Sequence, residues 1–166
     1  MALTKLNSAS MPTGSVIQFK KSILQNQTAV GITATTSDQT TYYGANTSGR
    51  TYGDATSISI TPTSTSSTLY CIGMIGWTNM ALTSTMAHGA IITRNDTESI
   101  DNSDYPWYSM NNAGITYFPS ESIIGAFTPN STSSQTIRLR PWCYIESPNG
   151  TTRYNNASLF VMEIAG

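Results

Sequence analysis

The chain has 166 residues, a formal net charge of −1 and only 10% charged residues, whereas an ordinary soluble domain has about 25%. Eight basic against nine acidic residues exclude the positive surface that a nucleic-acid backbone needs, and no apolar run approaches the ~20 residues of a membrane span. With 48 Ser and Thr residues and 16 aromatic ones, the composition favours a packed all-β domain over a disordered tail.

Alternating apolar and polar residues predict a series of strands after a polar lead. Residues 56–61, TSISIT, alternate strictly, with Ile58 and Ile60 on one face. Residues 95–114 are predicted to form a long polar excursion. The predicted strands, in chain order, are 15–20, 28–35, 56–61, 68–77, 88–95, 121–127, 135–146 and 157–164. Short strands separated by Gly, Pro, Asn and Ser turns are typical of an all-β, jelly-roll-like antiparallel β-sandwich.

The length suits one domain, which we place at residues 14–166, preceded by a short N-terminal arm at 1–13. The first residues lack the 7–15-residue apolar core of a secretion signal. We therefore expect the protein to stay in the compartment in which it is made. Cys71 and Cys143 both lie in strand-like runs, and we expect them to be buried free thiols rather than a disulfide.

One eight-residue string occurs twice, as ITPTSTSS at 60–67 and as FTPNSTSS at 127–134. Each copy follows one apolar strand and precedes another, and the similarity does not extend into the flanks. Proline stops ladder pairing, and serine and threonine hydroxyls satisfy nearby backbone groups. The pattern predicts two equivalent corners of one domain rather than a duplicated module or two linkers.

No constellation of catalytic residues is visible. The one histidine, His88, is accompanied by no nucleophile-elbow motif, and the chain has no glycine-rich phosphate loop. The two cysteines do not have the spacing of zinc ligands. We therefore predict a protein that is not an enzyme and needs no cofactor.

A cluster of acids and a run of aromatic residues follow one another. Oxygen ligands on a loop can bind Ca²⁺, but this cluster lacks the spacing of a known calcium loop, so a solvated polar loop is the favoured interpretation and calcium a weak alternative. Aromatic residues here can pack at the end of the sandwich, contact a partner or bind a glycan, and these three hypotheses stay open. The acids are Asp96, Glu98, Asp101 and Asp104, and the aromatic contacts are Tyr105, Trp107 and Tyr108.

Three stretches in order along the chain resemble a family of bacteriophage virion proteins that is common in cyanophages and other aquatic phages. They are PTGSVIQF at 12–19, SISITPTSTSSTLYCIG at 57–73 and ASLFVMEIAG at 157–166. In that family the domain commonly stands at the end of longer, tail-fibre-like proteins, and the family shares no catalytic residues. Here only about thirteen residues precede it, so the chain looks more like a capsid decoration, or cement, protein.

The resemblance implies a virion structural protein, made in the host cytoplasm, that forms a homotrimer on the capsid surface and contacts the major capsid protein. The near-zero net charge and the lack of a long apolar run predict that neither nucleic acid nor a membrane is a partner. We expect Leu3, Leu6 and Met11 of the arm to contact the capsid. The last strand is apolar on both faces, and we expect Phe160, Met162 and Ile164 to form the trimer interface. The rival hypothesis is a receptor-binding tip of a tail or head fibre, and a hydrolase comes third.

Overall fold

The computed structural model describes residues 11–33, 51–81, 86–95, 98–100, 105–110, 120–145 and 151–166. Within these ranges every regular element is a strand, and no helix there is long and apolar enough to cross a membrane. The strands are β1 (Val16–Thr33), β2 (Thr51–Tyr52), β3 (Thr56–Ile60), β4 (Thr68–Ala81), β5 (Met86–Arg94), β6 (Glu98–Ser99), β7 (Tyr105–Met110), β8 (Ser120–Phe127), β9 (Gln135–Ile145) and β10 (Thr151–Ile164).

The strands form two antiparallel sheets. Sheet A has the order β1-β10-β4-β8, and sheet B has the order β2-β9-β5-β6, with β3 also paired to β9 and β7 also paired to β5. The chain passes between the sheets repeatedly, because β1, β4, β8 and β10 lie in one and the strands between them lie in the other. This alternation, with the first and last strands side by side, is a jelly-roll arrangement. The predicted all-β antiparallel sandwich is confirmed.

Alternate residues of the strands point into the space between the sheets and form one core. The fully buried side chains from sheet A include Leu69, Cys71, Ile75, Leu159 and Val161, and those from sheet B include Ile60, Ile92, Ile137 and Leu139. Each of these Leu, Ile and Val side chains contributes about 1.5–3 kcal/mol through burial. Gly73 lets the sheets approach closely, because a Cβ at this position would lie 2.7 Å from Cδ1 of Leu139.

One side of the sandwich is closed by side chains that reach from β1 to β3 and to Thr61, the residue that follows β3. Gln18 Nε2 donates to the carbonyl oxygen of Thr61 (2.8 Å), and Lys20 Nζ donates to that of Ser59 (2.6 Å). Two residues further along, the hydroxyls of Ser22 and Thr56 are 2.6 Å apart. The three contacts recur at every second residue of β1, and they cover an edge that backbone pairing leaves open.

Two predictions about strands were wrong. The two predicted strands 15–20 and 28–35 are not separate: residues 16–20 and 28–33 belong to a single strand, β1, whose register with β10 shifts between Gln25 and Val30. Residues 34–35 lie outside the described residues. Residues 95–114 include β6 and β7, both paired with β5. Alternation does not reveal these two strands, because β6 has only two residues and β7 contains Pro106, which argues against a strand.

Candidate functional site

The outer face of sheet A, which points away from sheet B, carries large apolar side chains that the single chain leaves exposed. Ile124 on β8 is 60% exposed and Phe19 on β1 is 52% exposed. Val16, Ile23, Tyr70 and Met74 are also more than 40% exposed. Soluble domains bury such side chains or surround them with polar ones, so a cluster of them on one sheet is a candidate interaction site.

The register of sheet A shows that these side chains are neighbours. Phe19, Met162 and Tyr70 lie opposite one another on β1, β10 and β4. In the next row Phe160 lies opposite Ile72, which lies opposite Ile124 on β8. The rings of Phe19 and Phe160 stack with their centroids 6.1 Å apart. We call this surface the outer apolar face and define it by Val16, Phe19, Ile23, Tyr70, Ile72, Met74, Ile124, Phe160, Met162 and Ile164.

The face becomes polar towards one end of the strands. Gln25, Asn156, Gly76 and Ser120 form a row across β1, β10, β4 and β8. A shallow pit of about 160 Å³ opens here above Gly76, which has no side chain to fill it. In the outward-facing rows that run from Val16 to Gln25 on β1, Lys21 is the one described residue that carries a formal charge. The face is therefore an apolar area with a neutral polar rim at one end.

The three residues predicted for the trimer interface lie together on this face. Phe160, Met162 and Ile164 point outward from β10 and alternate with Leu159, Val161 and Glu163, which are buried. They are half-buried in the single chain because β1 and β4 flank them on both sides. The prediction missed Phe19, Tyr70, Met74 and Ile124. A signal was present in β4, which is apolar on both faces in the same way as β10.

Glu163 is a fully buried carboxylate on the inward side of β10. Its Oε1 accepts hydrogen bonds from the Thr63 backbone N (2.7 Å), the Thr63 hydroxyl (2.8 Å) and the Ser67 hydroxyl (2.7 Å). Gln18 Nε2 donates to Oε2. Burial alone would raise the pKa of this carboxyl, but the hydrogen bonds from Gln18, Ser67 and Thr63 outweigh it and lower the pKa below its usual value. These donors hold the carboxylate in its charged form.

This arrangement serves to connect elements rather than to move protons. Glu163 ties β10 to β1 through Gln18 and to the corner at 61–67 through Thr63 and Ser67. A general acid or base needs a pKa near the working pH, and the lowered pKa of Glu163 moves it away from that range. Glu163 was not among the residues predicted from the sequence. Its one signal was a charged residue at an inward position of an otherwise apolar strand.

The remaining predicted site residues are less fully described. Leu3, Leu6, Asp96, Asp101 and Asp104 lie outside the described residues. Met11 is half-buried, and Glu98 lies on β6. Tyr105, Trp107 and Tyr108 lie on β7, which pairs with β5 in sheet B, the sheet opposite the outer apolar face. Among the residues that the structure describes, no three His, Cys, Asp or Glu side chains are grouped to hold a metal ion. The calcium hypothesis stays a prediction.

The two cysteines lie on different sheets. Cys71 on β4 is a buried free thiol, as predicted, and burial raises its pKa to about 12. A thiol of this kind is unreactive, because the thiolate is the nucleophile. Cys143 lies on β9, opposite His88 of β5 in the backbone register. Its predicted state as a free thiol stays a prediction.

Comparisons with known proteins identify no family for this chain. No family model matches it, and no curated protein does. The chain is similar to a chain in the structure of infectious bursal disease virus Gx strain, with 10% identity and a TM-score of 0.46 over all of this chain and 43% of that one. It thus spans less than half of that chain's length. It is also similar to a family 35 carbohydrate binding module from Clostridium thermocellum, with 15% identity and a TM-score of 0.35 over 84% of this chain and 97% of that one. Likenesses this weak carry no argument about function.

Proposed function

We propose that this protein is a non-enzymatic structural protein of a bacteriophage virion. In this proposal it acts as a homotrimeric capsid decoration protein that stabilises the head. The observation that carries the proposal is the outer apolar face, which spans all four strands of sheet A. A single copy leaves this face in water, whereas an assembled one covers it. The resemblance of residues 12–19, 57–73 and 157–166 to phage virion proteins adds the biological setting.

The proposed mechanism is mechanical. Many copies would bridge neighbouring capsid subunits and oppose the internal pressure of the packaged genome. A charged fraction of 10% suits dense packing against like copies, because each unpaired charge buried at an interface is costly. Stability of the subunit comes from the core between the sheets and from the ties around Glu163.

The location of the protein in purified virions tests the proposal directly. Cryo-electron microscopy of the whole virion is expected to show this chain in many copies on the head. A chain found in a few copies at the ends of fibres would overturn the decoration hypothesis. Quantitative mass spectrometry of the same virions gives an independent copy number relative to the major capsid protein.

Contact with the major capsid protein is proposed to use the N-terminal arm. Residues 1–10 can be removed without breaking described contacts, since Gly14 N donates to Ala165 O (2.9 Å) and Ser15 N donates to Pro12 O (3.0 Å). Deletion of 1–10 should leave a folded protein with unchanged self-association that no longer loads onto undecorated capsids. Loading equal to that of the full chain would refute the role of Leu3 and Leu6.

The second candidate function is a receptor-binding tip of a fibre. The observation in its favour is the place of YPWYSM, which forms β7 in the sheet opposite the outer apolar face. A trimer that used sheet A would leave this strand available to a host glycan. Trp107→Ala is expected to leave phage adsorption unchanged if the protein decorates the head. A loss of adsorption would favour the tip.

A further inference from the structure

We infer that the occupant of the outer apolar face is a second copy of this same chain, and that the interface extends over the full width of sheet A from β1 to β8. This inference rests on the proposed homotrimer and names the surface that forms it. It goes beyond Phe160, Met162 and Ile164, which lie on one strand, to include Phe19 on β1 and Ile124 on β8.

The exposed area is large enough for a stable contact. The exposed fractions of Val16, Phe19, Ile23, Tyr70, Met74 and Ile124 add up to about three complete side chains. At roughly 200 Å² for a large side chain, they expose about 600 Å² of mostly apolar surface. That is the upper end of the largest patch on a typical monomer. The half-buried Ile72, Phe160, Met162 and Ile164 bring the face towards the ~800 Å² per partner of a standard interface.

The chemistry of the face favours a copy of the same chain over a charged partner. Lys21 is the one formally charged residue in the outward-facing rows from Val16 to Gln25, and it lies opposite Phe160 at the β1 side. A surface of this kind offers no charge pattern through which a different partner could be selected. Interfaces between permanent copies of one chain are the most apolar class, and they resemble a divided core. The same face on neighbouring copies supplies matching apolar chemistry, with the β1 side of one copy against the β8 side of the next, as a closed trimer requires.

The distribution of exposure along the face agrees with contacts to two neighbours. The most exposed side chains are Phe19 on β1 and Ile124 on β8, which are the two edge strands of sheet A. In a closed trimer each copy touches two others, so both edges of the face are covered. The polar row of Gln25, Asn156, Gly76 and Ser120 then lies at the rim, where polar residues are usual.

The test compares one charged substitution on the face with the same substitution on the opposite sheet. Ile124→Glu places a charge in the outer apolar face, and Ser57→Glu places it on the exposed outer side of β3. Sedimentation and light scattering of the purified full chain are expected to give three times the 17.9 kDa chain mass for the parent and for Ser57→Glu. Ile124→Glu should be monomeric at the same concentration, with the association constant reduced at least 100-fold. Far-ultraviolet circular dichroism checks that both variants are folded.

Oxidation of methionine provides a second readout that does not depend on a mass measurement. Met74 is 45% exposed in the single chain, and so it should react readily with peroxide if the face is open. We expect Met74 to be protected in the parent chain and to be oxidised at least tenfold faster in folded Ile124→Glu. Equal oxidation in the two proteins would overturn the inference, and so would a parent chain that is monomeric at high micromolar concentration.

The outcomes separate this inference from the proposed function. A chain that decorates heads but is monomeric in solution would overturn the self-contact and leave the decoration role standing. A trimer broken by Ile124→Glu but found only on fibres would leave the self-contact standing and overturn the decoration role. A trimer that Ile124→Glu leaves intact would show that the subunits meet elsewhere.

Discussion

The two copies of T-P-x-S-T-S-S form the same local turn but have different tertiary partners. In the first, the Ser66 backbone N donates to the Ser64 hydroxyl (3.1 Å), and in the second the Ser133 backbone N donates to the Ser131 hydroxyl (3.0 Å). Pro62 and Pro129 are both buried. As predicted, each copy joins two strands, β3 to β4 and β8 to β9.

The two strings differ in their contacts at the last serine and at the residue that follows the proline. Ser67 is fully buried and donates to Glu163, whereas Ser134 is exposed. Thr63 of the first corner also donates twice to Glu163. The string therefore determines the turn. The carboxylate of Glu163, about one hundred residues away, determines that the first turn is bonded to the last strand. Only the first corner connects its loop to the last strand.

The largest expected effect comes from removing the carboxylate itself. Glu163→Ala should lower the free energy of unfolding by about 2–4 kcal/mol, because the buried donors of Thr63 and Ser67 lose their acceptor. Urea denaturation measures the change. Asp54→Ala is the control, since its contact with Arg140 (3.0 Å) is at the surface and contributes about 1 kcal/mol or less. An equal decrease in the free energy of unfolding of the two variants would show that Glu163 contributes no more than a surface carboxylate.

The charge on Glu163 should make the first corner sensitive to acid. The pKa of Glu163 is lower in the folded protein than in the unfolded chain, so its contribution is complete above the unfolded value near 4.3 and is lost as the pH falls through the folded value. At pH 7, Glu163→Gln should cost about 1.5–3 kcal/mol, the range for hydrogen bonds to a charged group. Denaturation curves from pH 7 to pH 2 should show the parent approaching the variant, whereas a constant difference would contradict this.

A matched pair of serines measures the difference between the corners. Ser67→Ala should destabilise the fold by about 1–2 kcal/mol, because it removes the bonds from the hydroxyl to Glu163 and to the Ser64 carbonyl (2.8 Å). Ser134→Ala, at the matching position of the second string, should change stability by less than about 0.5 kcal/mol. Thermal unfolding of the two variants under identical conditions measures the difference between their stabilities. If Ser134→Ala costs as much as Ser67→Ala, the corners are equivalent after all.

The smallest effect tests what the corners share. Ser64→Ala and Ser131→Ala each remove one hydroxyl acceptor within an exposed turn, and each should cost about 0.5–1 kcal/mol. Their costs should agree within about 0.5 kcal/mol, as measured by chemical denaturation. A clearly larger loss for Ser64→Ala would mean that the local turn and the Glu163 contacts are coupled, which a double variant with Ser67→Ala would quantify.

Prediction from the sequence succeeded where a local pattern carried the information. Strict alternation identified β3, and the Pro-containing strings located both corners. It failed for β7, a strand that pairs with β5 and contains Pro106. For the candidate site it found Phe160, Met162 and Ile164 on one strand but not Phe19 or Ile124, because neighbours across a sheet are set by register between segments far apart in the chain.

The sequence by itself determined the fold class, the two turns and the fact that β4 and β10 have two apolar faces. Only the tertiary structure decided which of those faces is the core. The two-residue period of a strand shows that successive side chains point to opposite faces. It does not show on which face the second sheet packs. Nor does a local pattern show that Glu163 accepts from Gln18, Thr63 and Ser67, since these residues are brought together only when β1, the first corner and β10 meet.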